Sequence, residues 1–142
     1  MIEKPKPSRI NRTAAPVTNP EVSPYCRDLD RWPRSWMGLE KDLPPGEQLL
    51  VHLRPFIEHL ASSSLSPKTI RRHVDNLWLL GGEIIRDLHY DPSLRKRATE
   101  QILRSVIHEE GGPLIHYGLE QDQRSFDSTC RKLHRFLTQP QT

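Results

Sequence analysis

Between Ser66 and Leu88, the apolar residues Ile70, Val74, Leu77, Ile84 and Leu88 recur at three-, four- and seven-residue spacing, and Gly81 falls on the same line. That period is the one-sided stripe of an α-helix; a strand with its period of two cannot bury this set on one face. Trp78 and Ile85 widen the stripe. Ser66 is a good N-cap, and Pro67 is preset for the first helical position. Gly81-Gly82 inside a helix costs about 1 kcal/mol per glycine against alanine. The expected compensation is close approach of a neighbouring helix at a small residue, or else a local kink.

Three further stripes flank this one. Leu49, Leu50, Leu53, Phe56, Ile57 and Leu60 predict a helix after Pro44-Pro45. Pro55 lies inside it, so a kink or restart is expected there. Asp91 as N-cap and Pro92 at the first position open a third helix with Leu94, Ala98, Ile102 and Val106 on one face, stopped by Gly111-Gly112-Pro113. Phe126, Cys130, Leu133 and Leu137, with Phe136 beside them, form the fourth. No strand pattern and no internal repeat are present. Four helices with short connections predict an all-α fold.

The front of the chain is different. Pro5, Pro7, Pro16, Pro20, Pro24, Pro33 and Pro44 precede the first helical stripe. Residues 1–24 are polar and without period, and are expected to be a disordered or extended arm. Residues 25–45 carry Trp32 and Trp36 and are expected to pack on the body and bury one or both rings. The competing reading makes Trp32 and Trp36 the aromatic anchors of a partner-binding motif. Residues 46–138 form the helical domain, and 139–142 a polar tail.

The chemistry is sparse. Two cysteines, Cys26 and Cys130, are too few for a disulfide framework and predict reduced thiols. With no apolar run of signal-peptide or membrane-spanning length, a soluble cytoplasmic protein is expected. None of the phosphate-loop, dinucleotide, nucleophile-elbow or zinc-protease motifs is present. Cys130 and His134 are four apart, but Cys130 lies on the apolar stripe and no second ligand pair points to it, so no metal is expected. His52 and His59 share a face and read as surface or boundary residues. The carboxylates Glu83, Asp87, Glu109, Glu110, Glu120, Asp122 and Asp127 are scattered. Neither an enzyme, a cofactor nor a small-molecule substrate is expected.

The bases are more informative. Net charge is +3, with 21 bases against 18 acids. Lys68, Arg71 and Arg72 sit at the entry of the second helix, and Arg95, Lys96 and Arg97 early in the third. Arg124, Arg131, Lys132 and Arg135 run along the fourth. Bases at a helix N-terminus oppose its dipole, yet they sit beside free N–H groups that attract anions. Gathered on one side of a bundle, they would form a footprint for a DNA backbone. The plainer alternative is solvated faces balanced by nearby acids.

The stretch "FIEHLASSSLSPKTIRRHVDNLWLLGGEI" resembles the opening of the core-binding domain of tyrosine recombinases. The matching positions are Phe56, Leu60, Leu65, Ser66, Thr69, Val74 and Leu77. The resemblance spans roughly 47–137 and is sharp only over 56–84. It implies a small four-helix orthogonal bundle of the SAM-like kind, behind the Pro-rich arm, that clamps one side of duplex DNA. It also implies a DNA-facing set of Ser66, Lys68, Thr69, Arg71, Arg72 and Asn76, in which Ser66 and Thr69 contact phosphate, Arg71 and Arg72 phosphate or base edges, and Asn76 a base edge. Arg95, Lys96, Arg97, Arg131, Lys132 and Arg135 would extend the DNA-binding set. The family's catalytic arginine, His-x-x-Arg and late tyrosine have no counterpart here. His134-Arg135 has the wrong spacing, and Tyr117 precedes the last helix.

The expected function is therefore a non-catalytic binder of double-stranded DNA, accessory to recombination or transposition of a mobile element, with a recombinase or transposase as its protein partner. The alternative is a protein-interaction module that binds a recombinase, another partner or itself through the tryptophan arm or an exposed bundle face.

Overall fold

A computed structural model describes residues 22–115 and 118–139. Most of the expected arm and the last three residues of the tail lie outside the described residues. Among these residues five α-helices follow one another: α1 (Trp32–Trp36), α2 (Leu43–Ala61), α3 (Pro67–Tyr90), α4 (Thr99–Val106) and α5 (Glu120–Thr138). The fold is an all-α bundle. Among the described residues, the only β-type pairing is a bridge between His108 and Gly111.

α3 is the spine. Its start follows from local chemistry: Ser66 is extended, its hydroxyl accepts the Thr69 N–H at 3.2 Å, and Pro67 occupies the first turn. Ile70, Val74, Leu77, Leu80, Ile84, Ile85 and Leu88 are all buried. They meet Leu49, Leu53, Phe56, Ile57 and Leu60 of α2, Ile102 and Leu103 of α4, and Phe126, Cys130 and Leu133 of α5 in one core.

The helix runs unbroken through Gly81-Gly82. A Cβ on Gly81 would lie 2.1 Å from Cζ2 of Trp36, so the glycine makes room for an indole supplied by α1. Trp32 and Trp36 are 3% and 9% exposed. Their rings pack 5.8 Å apart, and Trp36 Nε1 donates to the Trp78 carbonyl at 2.9 Å. Burying one indole, about 150 Å² at ~25 cal/mol/Å², contributes about 4 kcal/mol and outweighs the propensity cost of the glycines. The two rings therefore belong to the core and are not presented to a partner.

Three expectations change. α2 does not restart at Pro55. The missing N–H leaves only the Val51 carbonyl without a partner, and both Pro55 and Val51 are on the exposed side, where water can serve it. Pro44 and Pro45 lie within the first turn of α2, where no N–H is needed, rather than ahead of it. The expected third helix is split: Asp91 caps a 3-10 turn at Pro92–Lys96, Arg97 and Ala98 are extended, and α4 starts afresh. α4 also ends at Val106, ahead of the glycines. The chain then turns tightly from His108 to Gly111, whose φ of 150° suits glycine.

The split coincides with a buried carboxylate. Asp42 is fully buried between α1 and α2. Its Oδ2 accepts the N–H groups of Gly38 (2.8 Å) and Leu39 (2.9 Å) and faces His89 Nε2 at 2.7 Å. Its Oδ1 accepts the Arg95 guanidinium at 2.6 Å. Burial alone would raise its pKa, but Arg95, the two backbone N–H groups and His89 outweigh that and hold it well below the usual carboxylate range. Arg95 is thereby a structural ion pair, not a free phosphate ligand.

Candidate nucleic-acid interface

α3 and α5 pack antiparallel, and a polar seam fixes their register. His73 Nδ1 lies 2.7 Å from Thr129 Oγ1. The Asn76 amide donates to Thr129 Oγ1 (2.9 Å), Ser125 Oγ (3.1 Å) and the Ser125 carbonyl (3.2 Å). The Arg72 guanidinium donates to Ser125 Oγ at 2.9 Å. Asn76 is only 7% exposed and its N–H donors are committed to α5, so it holds helices together and does not present them to a base edge. The sequence did not single out Ser125 and Thr129. Their spacing of four, on the edge of the Phe126–Cys130–Leu133 stripe, was the available signal.

The seam brings two basic groups to one end of the bundle. Lys68, Arg71 and Arg72 project from the first turns of α3 and are exposed. Lys132 and Arg135 of α5 border a cleft of about 160 Å³ with Ser63 and Leu65 of the α2–α3 turn. None of these five bases has an ion-pair partner among the described residues. Ser66 and Thr69 are hydrogen-bonded to each other, hydroxyl to hydroxyl at 3.0 Å, as part of the cap.

The other predicted bases fall elsewhere. Lys96 and Arg97 are exposed but follow the C-terminal end of α3. That 24-residue helix spans about 36 Å, so they lie at the opposite end of the bundle from Lys68. The Arg131 guanidinium points toward the Glu110 carbonyl at 3.5 Å. Arg124 pairs with Glu120 at 3.4 Å.

Beside the α3 entry runs a groove of about 710 Å³, where Lys68, Arg71 and Arg72 face Asp75, Asp122 and an apolar wall of Leu79 and Ile115. Burial and the nearby Asp28 raise the pKa of Asp75. Beneath the basic end, His73 is fully buried, and its pKa is lowered to about 4 by burial first, then by Arg72 and Lys132. Arg72 of α3 and Lys132 of α5 thus both lie close enough to His73 to disfavour its protonation.

Both thiols are held neutral, with pKa values pushed up to about 12 by burial, together with Asp28 at Cys26 and Asp127 at Cys130. Among the described residues no three His, Cys, Asp or Glu side chains converge to hold a metal ion. No helix among them is long and apolar enough to cross a membrane. Comparison with known proteins returns no matching family model, no matching curated protein and no matching solved structure.

Proposed function

We propose that this chain is a non-catalytic, cytoplasmic DNA-binding protein that grips the duplex backbone with Lys68, Arg71 and Arg72 of α3 and Lys132 and Arg135 of α5. The observation that carries this reading is the convergence of these five bases, none of them ion-paired among the described residues, at one end of two antiparallel helices. The "L-S-x-x-T" helix entry shared with recombinase core-binding domains lies at the same place. It supports a role accessory to recombination or transposition, beside a recombinase or transposase.

Fluorescence anisotropy of a labelled 30-bp duplex, titrated at several salt concentrations, tests the reading. Five phosphate contacts give an expected slope of log K against log salt of about −4.5. Absence of binding at low salt overturns it.

A protein-interaction reading retains one specific support. Trp78 and Leu79, adjacent on α3, are 40% and 37% exposed. Self-association through them predicts a molecular mass by light scattering that rises with concentration and returns to monomer in Leu79→Glu. A monomer at all concentrations removes self-association.

A further inference from the structure

The formal charge of the chain is not spread evenly. Residues 1–20 hold four bases, Lys4, Lys6, Arg9 and Arg12, against one acid, Glu3. That excess equals the whole net charge of +3, so residues 21–142 balance to zero. From Lys4 to Pro20 there is no acid and no aromatic residue. Such a run has no counter-charge of its own and no ring to anchor on an apolar surface, so its chemistry favours a polyanion. The five bases of the α3–α5 end belong to a body without net charge, which exerts little long-range pull on DNA.

The structure fixes where this segment joins the body. Val22, Tyr25 and Cys26 pack against the core. The N–H groups of Tyr25 and Cys26 donate to the Val22 carbonyl at 2.8 and 3.1 Å. Asp28, whose carboxylate accepts the Cys26 thiol at 3.3 Å, lies close enough to Asp75 to disfavour its ionisation. Asp75 lines the groove that Lys68, Arg71 and Arg72 also line. Along α3 it stands about 10 Å from Lys68 and about 22 Å from Tyr90. The segment therefore joins on the half of α3 that carries the bases. The chain from Arg12 to Val22 spans at most about 35 Å, enough to reach a duplex held at that end.

We propose that Lys4, Lys6, Arg9 and Arg12 form a second DNA grip, on phosphates of the same duplex beyond the footprint of the α3–α5 end. The inference rests on the DNA-binding reading above and adds four contacts to its five.

The test uses the full chain and a labelled 30-bp duplex at several salt concentrations. Both grips together give a slope of log K against log salt of about −8, against about −4.5 for the five body bases alone. Lys4→Gln combined with Lys6→Gln, Arg9→Gln and Arg12→Gln is expected to return the slope to about −4.5 and to weaken binding near 0.1 M salt by about 100-fold or more. Arg9→Lys with Arg12→Lys should keep the wild-type slope, because a phosphate contact needs only the charge. Lys41, Lys96 and Arg97 are exposed at the other end of the bundle, where Arg95 reaches the Lys41 carbonyl. Changing all three to Gln should leave the slope as it is. A wild-type slope of about −4.5 that the quadruple variant shares overturns the second grip and leaves the body reading standing. Equal flattening in the quadruple and the far-end triple variants also overturns it, as a net-charge effect. Phosphatidylserine vesicles probe the other polyanion: binding to them that the quadruple variant loses, with its DNA slope unchanged, assigns the segment to a lipid surface and overturns the proposal. Absence of DNA binding at low salt overturns both grips.

Discussion

The indole of Trp36 fills the space that a side chain at Gly81 would need. A Cβ there would sit 2.1 Å from Cζ2 and 2.4 Å from Cη2 of the ring, whereas a Cβ on the next residue, Gly82, would come no closer than 3.6 Å to it. Adjacent glycines in one helix thus do opposite jobs. The first admits a ring, and the second only lowers helix propensity.

Gly81→Ala is therefore expected to destabilise by about 2–3 kcal/mol, because a ring locked by its bond to the Trp78 carbonyl cannot give way cheaply. Gly82→Ala meets ordinary van der Waals distance and is expected to stabilise by about 0.5–1 kcal/mol. Urea denaturation of the two single variants checks both signs. Equal effects would mean that the indole is not the reason for the pair.

Asp42 supports a second prediction. Asp42→Asn puts an amide where four donors converge and leaves Arg95 without its anion, so a loss of about 3–5 kcal/mol is expected. Arg95→Ala should cost less, since the backbone N–H groups keep their acceptor. Because the folded pKa of Asp42 is depressed, its stabilisation is complete above the ordinary carboxylate range and is lost as pH falls below about 4. Thermal melts of Asp42→Asn should lack the wild-type loss of stability in that acid window.

These features also show what a sequence makes legible. The α3 start and stripe could be read directly, because Ser66 caps a residue three positions on and the stripe repeats locally. Gly81 signalled that something approaches α3, but its identity, Trp36, depended on packing across the chain. Asp42 could be read locally only as an acceptor for the Gly38 and Leu39 N–H groups, since its charged partners His89 and Arg95 lie 47 and 53 residues away. For the same reason Arg95 resembled its neighbours Lys96 and Arg97 until its partner was seen. Asn76 had the composition of a base reader, yet its amide is spent on Ser125 and Thr129, again across the fold.

His73 makes a third prediction, in a different pH window. Its folded pKa of about 4 lies below the ordinary histidine value, so the unfolded chain takes up a proton first as pH falls. Stability is complete above about pH 6.5 and declines toward pH 4, by about 3 kcal/mol in all. Among the described residues its Nε2 has no hydrogen-bond partner, so a proton added there would find no acceptor to offset its charge. His73→Gln should flatten the denaturation midpoint between pH 6.5 and 4.5. A wild-type midpoint constant over that range would show that His73 does not titrate as its burial requires.

The last prediction separates bases that bind DNA from bases that only decorate the surface. Arg71 and Arg72 are exposed, and the only hydrogen bond that Arg72 makes among the described residues is to the half-buried Ser125 hydroxyl, which keeps Asn76 as a donor, so Arg71→Ala with Arg72→Ala should destabilise by no more than about 1 kcal/mol. If both contact phosphate, the double variant loses two released counterions. The salt slope then falls by about 1.8, and affinity near 0.1 M salt drops by about 10-fold or more. Lys96→Ala with Arg97→Ala removes the same charge from the far end of α3, about 36 Å away. A mere net-charge effect would make the two double variants alike, since each lowers the chain from +3 to +1. A footprint at the α3–α5 end makes them differ, with the Lys96/Arg97 variant keeping its slope and binding within about 2-fold of wild type. Anisotropy titrations of both variants at three salt concentrations decide between these outcomes, and parallel loss in the two would remove the assigned face.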